Sequence, residues 1–207
     1  MIRWEAMLIF NYETLVDPLL RDVRRFTPGF CGMRPGDSVL DVCCGTGAQV
    51  IEYGRHGMIA TGIDNDPTML KTALKNKARR KLENISFYLA DATRLPFGAN
   101  CFDYVSVSMA LHDKGRLTRY GVVSEMKRVV KQDGTLIFID YAVPMARNIW
   151  AVLSRMVEFL AGGDHYAGFK GYVDSGGLED ILEAHHLRVD DRSYLKDGLM
   201  VIVKARR

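Results

Sequence analysis

From residue 37 onward, short apolar runs alternate with stretches of helical spacing. Residues 38–42 form a nearly continuous apolar run, the pattern of a strand buried on both faces. A helix is expected at 47–56, closed by Gly57, and a second strand at 58–63. Asp66 followed by Pro67 reads as an N-cap and first helical residue. Residues 85–89 and 104–108 give a third and a fourth strand. Val122, Val123, Met126, Val129 and Val130 then recur at helical spacing. Asp133-Gly134 reads as a turn into a fifth strand at 135–139. Lys196-Asp197-Gly198 joins two further strands, 187–195 and 199–204, as a hairpin. The sum is an α/β fold: a Rossmann-like, seven-stranded, mostly parallel sheet with an antiparallel C-terminal hairpin and helices on both faces.

The expected organisation is one domain over 1–207. A lead or cap (1–35) precedes a ligand-binding core (36–140), and a substrate-side insertion (141–175) precedes a C-terminal helix and hairpin (176–207). The insertion holds an expected helix at 146–160 and a glycine-rich irregular stretch at 162–171. Lead and insertion are read as walls or lid of a pocket, because ligands in such sheets bind at the carboxyl ends of strands. Trp4, Met7, Leu8, Ile9 and Phe10 suit either an apolar ligand or a dimer contact, and equally a cap on the chain's own core.

Composition narrows the classes. A net charge of +3 is too small to argue for nucleic acid. The helix 71–81 carries six of the cations, which read as a solvated face or, alternatively, as a surface for phosphate or anionic lipid. Four cysteines, Cys31, Cys43, Cys44 and Cys101, show neither CxxC spacing nor a disulfide framework, so no metal is expected. No apolar run approaches the ~18 residues that span a bilayer, and the N-terminus lacks a signal-peptide pattern. A cytoplasmic location is expected, with peripheral membrane contact left open, as monomer or homodimer.

Candidate chemistry begins at Asp41-Val42-Cys43-Cys44-Gly45-Thr46-Gly47, a strand end followed by a glycine loop and a helix. Glycines there let the backbone turn and approach a ligand. A dinucleotide fingerprint needs a further glycine where Val50 stands, and no P-loop Gly-Lys-Ser/Thr follows. Asp64, with Asn65 beside it, ends the second strand, where a carboxylate can accept from both ribose hydroxyls of an adenosine-containing cofactor. After the third strand, Asp91 can accept from an adenine amino group, with Ala92 leaving room for the ring.

These motifs, with Asp91-Ala92-Thr93-Arg94-Leu95-Pro96-Phe97, Phe102-Asp103-Tyr104-Val105 and the segment from Glu125 to Leu136, resemble the successive motifs of class I S-adenosylmethionine-dependent methyltransferases. Their closest likeness is to the ubiquinone/menaquinone-biosynthesis (type 11) group. The resemblance implies that Gly45, Thr46 and Gly47 border the methionine part of S-adenosylmethionine, with Asp41 supporting its amino group and Cys43 lining the loop. It further implies Asp64 at the ribose, Asp91 and Ala92 at the adenine, and Ser108 beside the cofactor. Cys43 and Cys44 depart from the small residues common there and read as compact core thiols.

Methyl transfer needs a base only when the acceptor must lose a proton. His112, after the fourth strand, is the candidate, with Asp113 to orient it; a partly exposed loop histidine is the competing reading. His165, Tyr166 and Tyr172 suit either acceptor contact or packing, and His185-His186 a helix end. The acceptor implied is a small or lipid-like molecule, quinone-type by family likeness. Nucleic acid is disfavoured, since no Asn/Asp-Pro-Pro-Tyr/Phe segment follows the fourth strand. An RNA or protein methyltransferase and a cofactor-binding module without turnover stay open. A nicotinamide oxidoreductase is disfavoured by Val50.

Overall fold

The computed structural model describes residues 20–146, 148–160 and 162–207; the apolar residues from Trp4 to Phe10 lie outside that range. The chain divides into two compact units, Met1–Leu89 and Ala90–Arg207. Seven strands make up a mixed sheet, β3-β2-β1 from the first unit and β4-β5-β7-β6 from the second.

In the first unit, helix α1 (Arg21–Cys31) precedes β1 (Ser38–Val42). The strand's alternation-free apolar pattern is explained by its burial: Val39, Leu40 and Val42 are fully enclosed. Helix α2 (Ala48–Arg55), β2 (Ile59–Asp64), helix α3 (Pro67–Arg80) and β3 (Ile85–Leu89) follow. The strands β1, β2 and β3 pair in parallel, with Asp41 opposite Gly62 and Asp64 opposite Leu89. Asp66 caps α3 as its sequence suggests, its Oδ1 accepting from the Thr68 and Met69 amides.

In the second unit, β4 (Phe102–Ser108) pairs in parallel with β5 (Val130–Tyr141), and helix α4 (Arg116–Val129) connects them. Val122, Val123, Met126 and Val129 on α4 are fully buried. The expected turn at Asp133-Gly134 is instead absorbed into β5. Phe102 faces Val130 and Tyr104 faces Thr135, so residues 131–134 bulge out of the ladder without ending the strand. The C-terminal hairpin is present: β6 (Arg188–Leu195) and β7 (Met200–Arg206) are antiparallel, and β7 is also antiparallel to β5.

Between β5 and the hairpin lie helices α5 (Ile149–Leu160), α6 (Gly163–Ser175) and α7 (Leu178–Ala184). The glycine-rich stretch is therefore not irregular. Glycine weakens a helix by about 1 kcal/mol relative to alanine, but Gly168 is needed for contact. A Cβ there would sit 2.2 Å from the Asp113 carbonyl oxygen. Phe169 and Tyr172 supply the buried face of α6, and the Tyr172 hydroxyl donates to the Tyr141 carbonyl at 2.9 Å.

Candidate cofactor loop and a buried histidine cluster

The loop after β1 is shaped by backbone that only some residues tolerate. Cys43, Gly45 and Gly47 have φ of 58°, 52° and 74°. At Gly47 a side chain is also excluded by space, since a Cβ would lie 2.5 Å from the Phe87 ring. At Gly45 a Cβ would meet nothing within 4 Å, so one side of the loop is bare backbone open to a ligand.

Asp64 holds this loop. Its Oδ2 accepts from the Gly45 amide at 2.8 Å and its Oδ1 from the Asp66 amide at 2.9 Å. The Cys44 amide donates to the Ile63 carbonyl, a second tie to β2. The structure thus joins Asp64 and Gly45, two residues the sequence singled out separately. Asp41 and Thr46 are buried and Asn65 is exposed. The Cys44 thiol is pushed up by burial and by the nearby Asp41 and Asp64 carboxylates, so it stays a neutral thiol, consistent with packing.

In the second unit, Asp91 is exposed and already employed. Its Oδ1 accepts from the Thr93 amide and hydroxyl, both at 2.8 Å, and these bonds hold its carboxyl below the usual range. Ala92 is buried and Ser108, the last residue of β4, is half-buried. Arg128 on α4 clasps the neighbouring segment. It donates to the Leu95 and Phe97 carbonyls and pairs with Glu125, whose Oε2 accepts from the Leu95 amide.

His112 is a buried residue rather than a partly exposed one, at 4% exposure. Its partner is Asp140 of β5 and not Asp113: Nδ1 lies 2.6 Å from Asp140 Oδ1. Asp140 Oδ2 also accepts from the Leu111 and His112 amides, which fixes the turn carrying the ring. Asp113 instead pairs with Lys114 at 3.0 Å. On its other side, His112 Nε2 faces Glu158 Oε1 of α5 at 3.5 Å, and His165 Nε2 of α6 lies 2.8 Å from Glu158 Oε2. Tyr141 donates its hydroxyl to Glu158 Oε1 at 2.9 Å. Burial works against a charged imidazole, but Asp140 and Glu158 outweigh it and push His112 up to about 10. Against its own burial, Glu158 is held well below the carboxylate range by His112 and His165.

Asp140 and Glu158 were not singled out from the sequence, although each is a lone carboxylate in an apolar run (Leu136 to Tyr141, and Ile149 to Leu160). A charge in such a run requires a buried partner, and that was the available signal. Arg119 is similar: fully buried, it donates to the Lys114 carbonyl at 2.8 Å and lies over the Tyr172 ring.

Residues 40–138 match the family described as "Methyltransferase domain". Among solved structures, an S-adenosylmethionine-dependent methyltransferase from Aquifex aeolicus superposes with a TM-score of 0.65 at 18% identity, covering 88% of each chain. The [4+2]-cyclase SpnF superposes with a TM-score of 0.67 at 17% identity, over 90% of this chain and 80% of that one. Fold and matched domain together define a class I methyltransferase architecture, whose cofactor is S-adenosylmethionine.

More particularly, the chain is 31% identical over 136 residues to a demethylmenaquinone methyltransferase of Beutenbergia cavernae, a match covering 66% of this chain and 52% of the relative. The chain spans about half the length of the curated relatives it matches. Residues 40–138 carry the methyltransferase domain, and the chain is similar to the class I S-adenosylmethionine-dependent methyltransferases near the menaquinone-biosynthesis group.

Proposed function

We propose that this chain transfers a methyl group from S-adenosylmethionine to a small, lipid-like acceptor of quinone type, in the cytoplasm. The observation that carries the reading is the Asp64 clasp, a carboxylate at the end of β2 bonded to the amide of Gly45 in a loop left bare on one side. The acceptor class rests on the name of the Beutenbergia cavernae relative.

When bound, the cofactor supplies an already activated methyl group, so the protein's part is to bind, align and exclude water. In this proposal Gly45, Thr46 and Gly47, with Asp41 and Cys43, form the wall at the methionine end. Asp64 and Asn65 lie at the ribose, Asp91 and Ala92 at the adenine, and Ser108 beside the cofactor. His112, with one nitrogen on Asp140 and the other facing Glu158, acts as a positioning residue on the acceptor side.

Two measurements test this. The purified chain binds S-adenosylhomocysteine and not NAD(H), and Asp64→Ala lowers that affinity by about 1.5–3 kcal/mol, the scale of hydrogen bonds to a charged group. Unchanged affinity in the variant refutes the Asp64 assignment. A second reading, a member of this fold without methyl turnover, is suggested by one structural neighbour, the [4+2]-cyclase SpnF. Transfer of a labelled methyl group into a quinone-precursor extract supports the first reading; bound cofactor with no transfer supports the second.

A further inference from the structure

His112, Glu158 and His165 come from three separate segments: the turn after β4, helix α5 and helix α6. Each offers one ligand atom, and these atoms all lie within 4.8 Å of one another. We propose that they form a binding site for one divalent transition-metal ion, with His112 Nε2, a Glu158 oxygen and His165 Nε2 as ligands.

Three observations support a metal over a simple buried ion pair. First, Asp140 takes up His112 Nδ1 at 2.6 Å, which turns Nε2 toward Glu158; a carboxylate behind a ligating histidine is the usual second support of such sites. Second, Glu158 is buried and its Oε2 lies 2.8 Å from His165 Nε2. Its sister oxygen is satisfied by the Tyr141 hydroxyl. A buried carboxylate is costly unless its charge is compensated, and a cation held by both groups does so. Third, two buried carboxylates, Asp140 and Glu158, flank the His112 ring on either side, an acidic surround suited to a cation.

The donor set selects the ion. Two imidazoles and one carboxylate suit zinc or iron(II) rather than magnesium or calcium, which take oxygen ligands. Three protein ligands leave a coordination position open, as in sites that bind water or a substrate atom. The His165 side chain is 35% exposed, and this is the entry route. The cysteines lack the spacing of a structural zinc site, whereas these three ligands come from separate segments brought together by the fold.

The test uses the full chain stripped with a chelator, then titrated with zinc by calorimetry and with cobalt(II) by visible absorption. One equivalent binds per chain, and cobalt(II) gives the ligand-field bands of a low-coordinate nitrogen-oxygen site. Glu158→Gln and His165→Ala abolish the one-to-one binding, and Asp140→Asn weakens it by about 10–100-fold. Folding is checked by circular dichroism. If Glu158→Gln does not fold, His165→Ala carries the comparison, since that side chain is partly exposed. No stoichiometric binding by folded wild-type protein overturns the proposal, and so does binding undiminished in the ligand variants. S-adenosylhomocysteine binding, measured on the same stripped sample, reports the methyltransferase reading independently.

Discussion

Gly168 shows how one missing methyl group decides a local packing. The α6 backbone approaches the Asp113 carbonyl so closely that a Cβ would stand 2.2 Å from its oxygen. Gly168→Ala therefore lowers stability by about 1–3 kcal/mol, the range for overpacking, and the urea midpoint of the folded chain reports it. An unchanged midpoint contradicts the contact. Glycine content alone suggested a loop here, because the sequence shows the helix penalty of each glycine and not the neighbour that requires one. Asp64 was legible as a candidate residue, a carboxylate ending a strand after a glycine loop. That it also holds Gly45 was not, because the two are brought together only by the β1–β2 register.

Among the elements, those set by local signals were the readable ones. β1 and β3 follow from apolar runs, α3 from Asp66-Pro67, and the hairpin from Lys196-Asp197-Gly198. The helix α4 is anchored by a charged clasp with a pH dependence. Arg128 and, after the effect of its partial burial, the Leu95 amide hold the Glu125 carboxyl below its ordinary value. A depressed carboxyl pKa contributes stability that is present above the unfolded value, near 4.3 for glutamate, and lost as pH falls through the folded value. The wild type therefore loses more stability than Glu125→Gln when thermal melts are carried from about pH 5 down to about pH 3. Parallel curves for the two proteins contradict the clasp.

At the scale of the whole molecule, charge and apolar surface are unevenly distributed. In the first unit, Arg21, Arg24, Arg25, Arg55, Arg79 and Arg80 line a cleft of about 390 Å³ together with Glu52. In the second, α5 exposes Ile149, Val152, Met156 and Phe159, each more than half accessible and spaced along one side of the helix. No helix among the described residues is long and apolar enough to cross a membrane. An exposed apolar stripe of this kind sets how the folded protein partitions onto apolar surfaces. The double substitution Val152→Glu and Met156→Glu shortens retention on a phenyl column without shifting the far-ultraviolet spectrum; equal retention contradicts the exposed stripe. The stripe was present in the sequence as apolar residues of an expected helix. Which side faced outward was not, because burial was decided by Glu158 on the same helix meeting His112 and His165.

The clasp of Asp64 on Gly45 has a consequence for the thermodynamics of ligand capture. Because that carboxylate and the left-handed backbone shape the loop as the first unit folds, the loop's conformational entropy is lost at folding and not at binding. A ligand meets a preorganised surface, and its association is correspondingly less entropically opposed. Freeing Gly45 moves that loss into the association step, so affinity falls through entropy even where every contact to the ligand is intact.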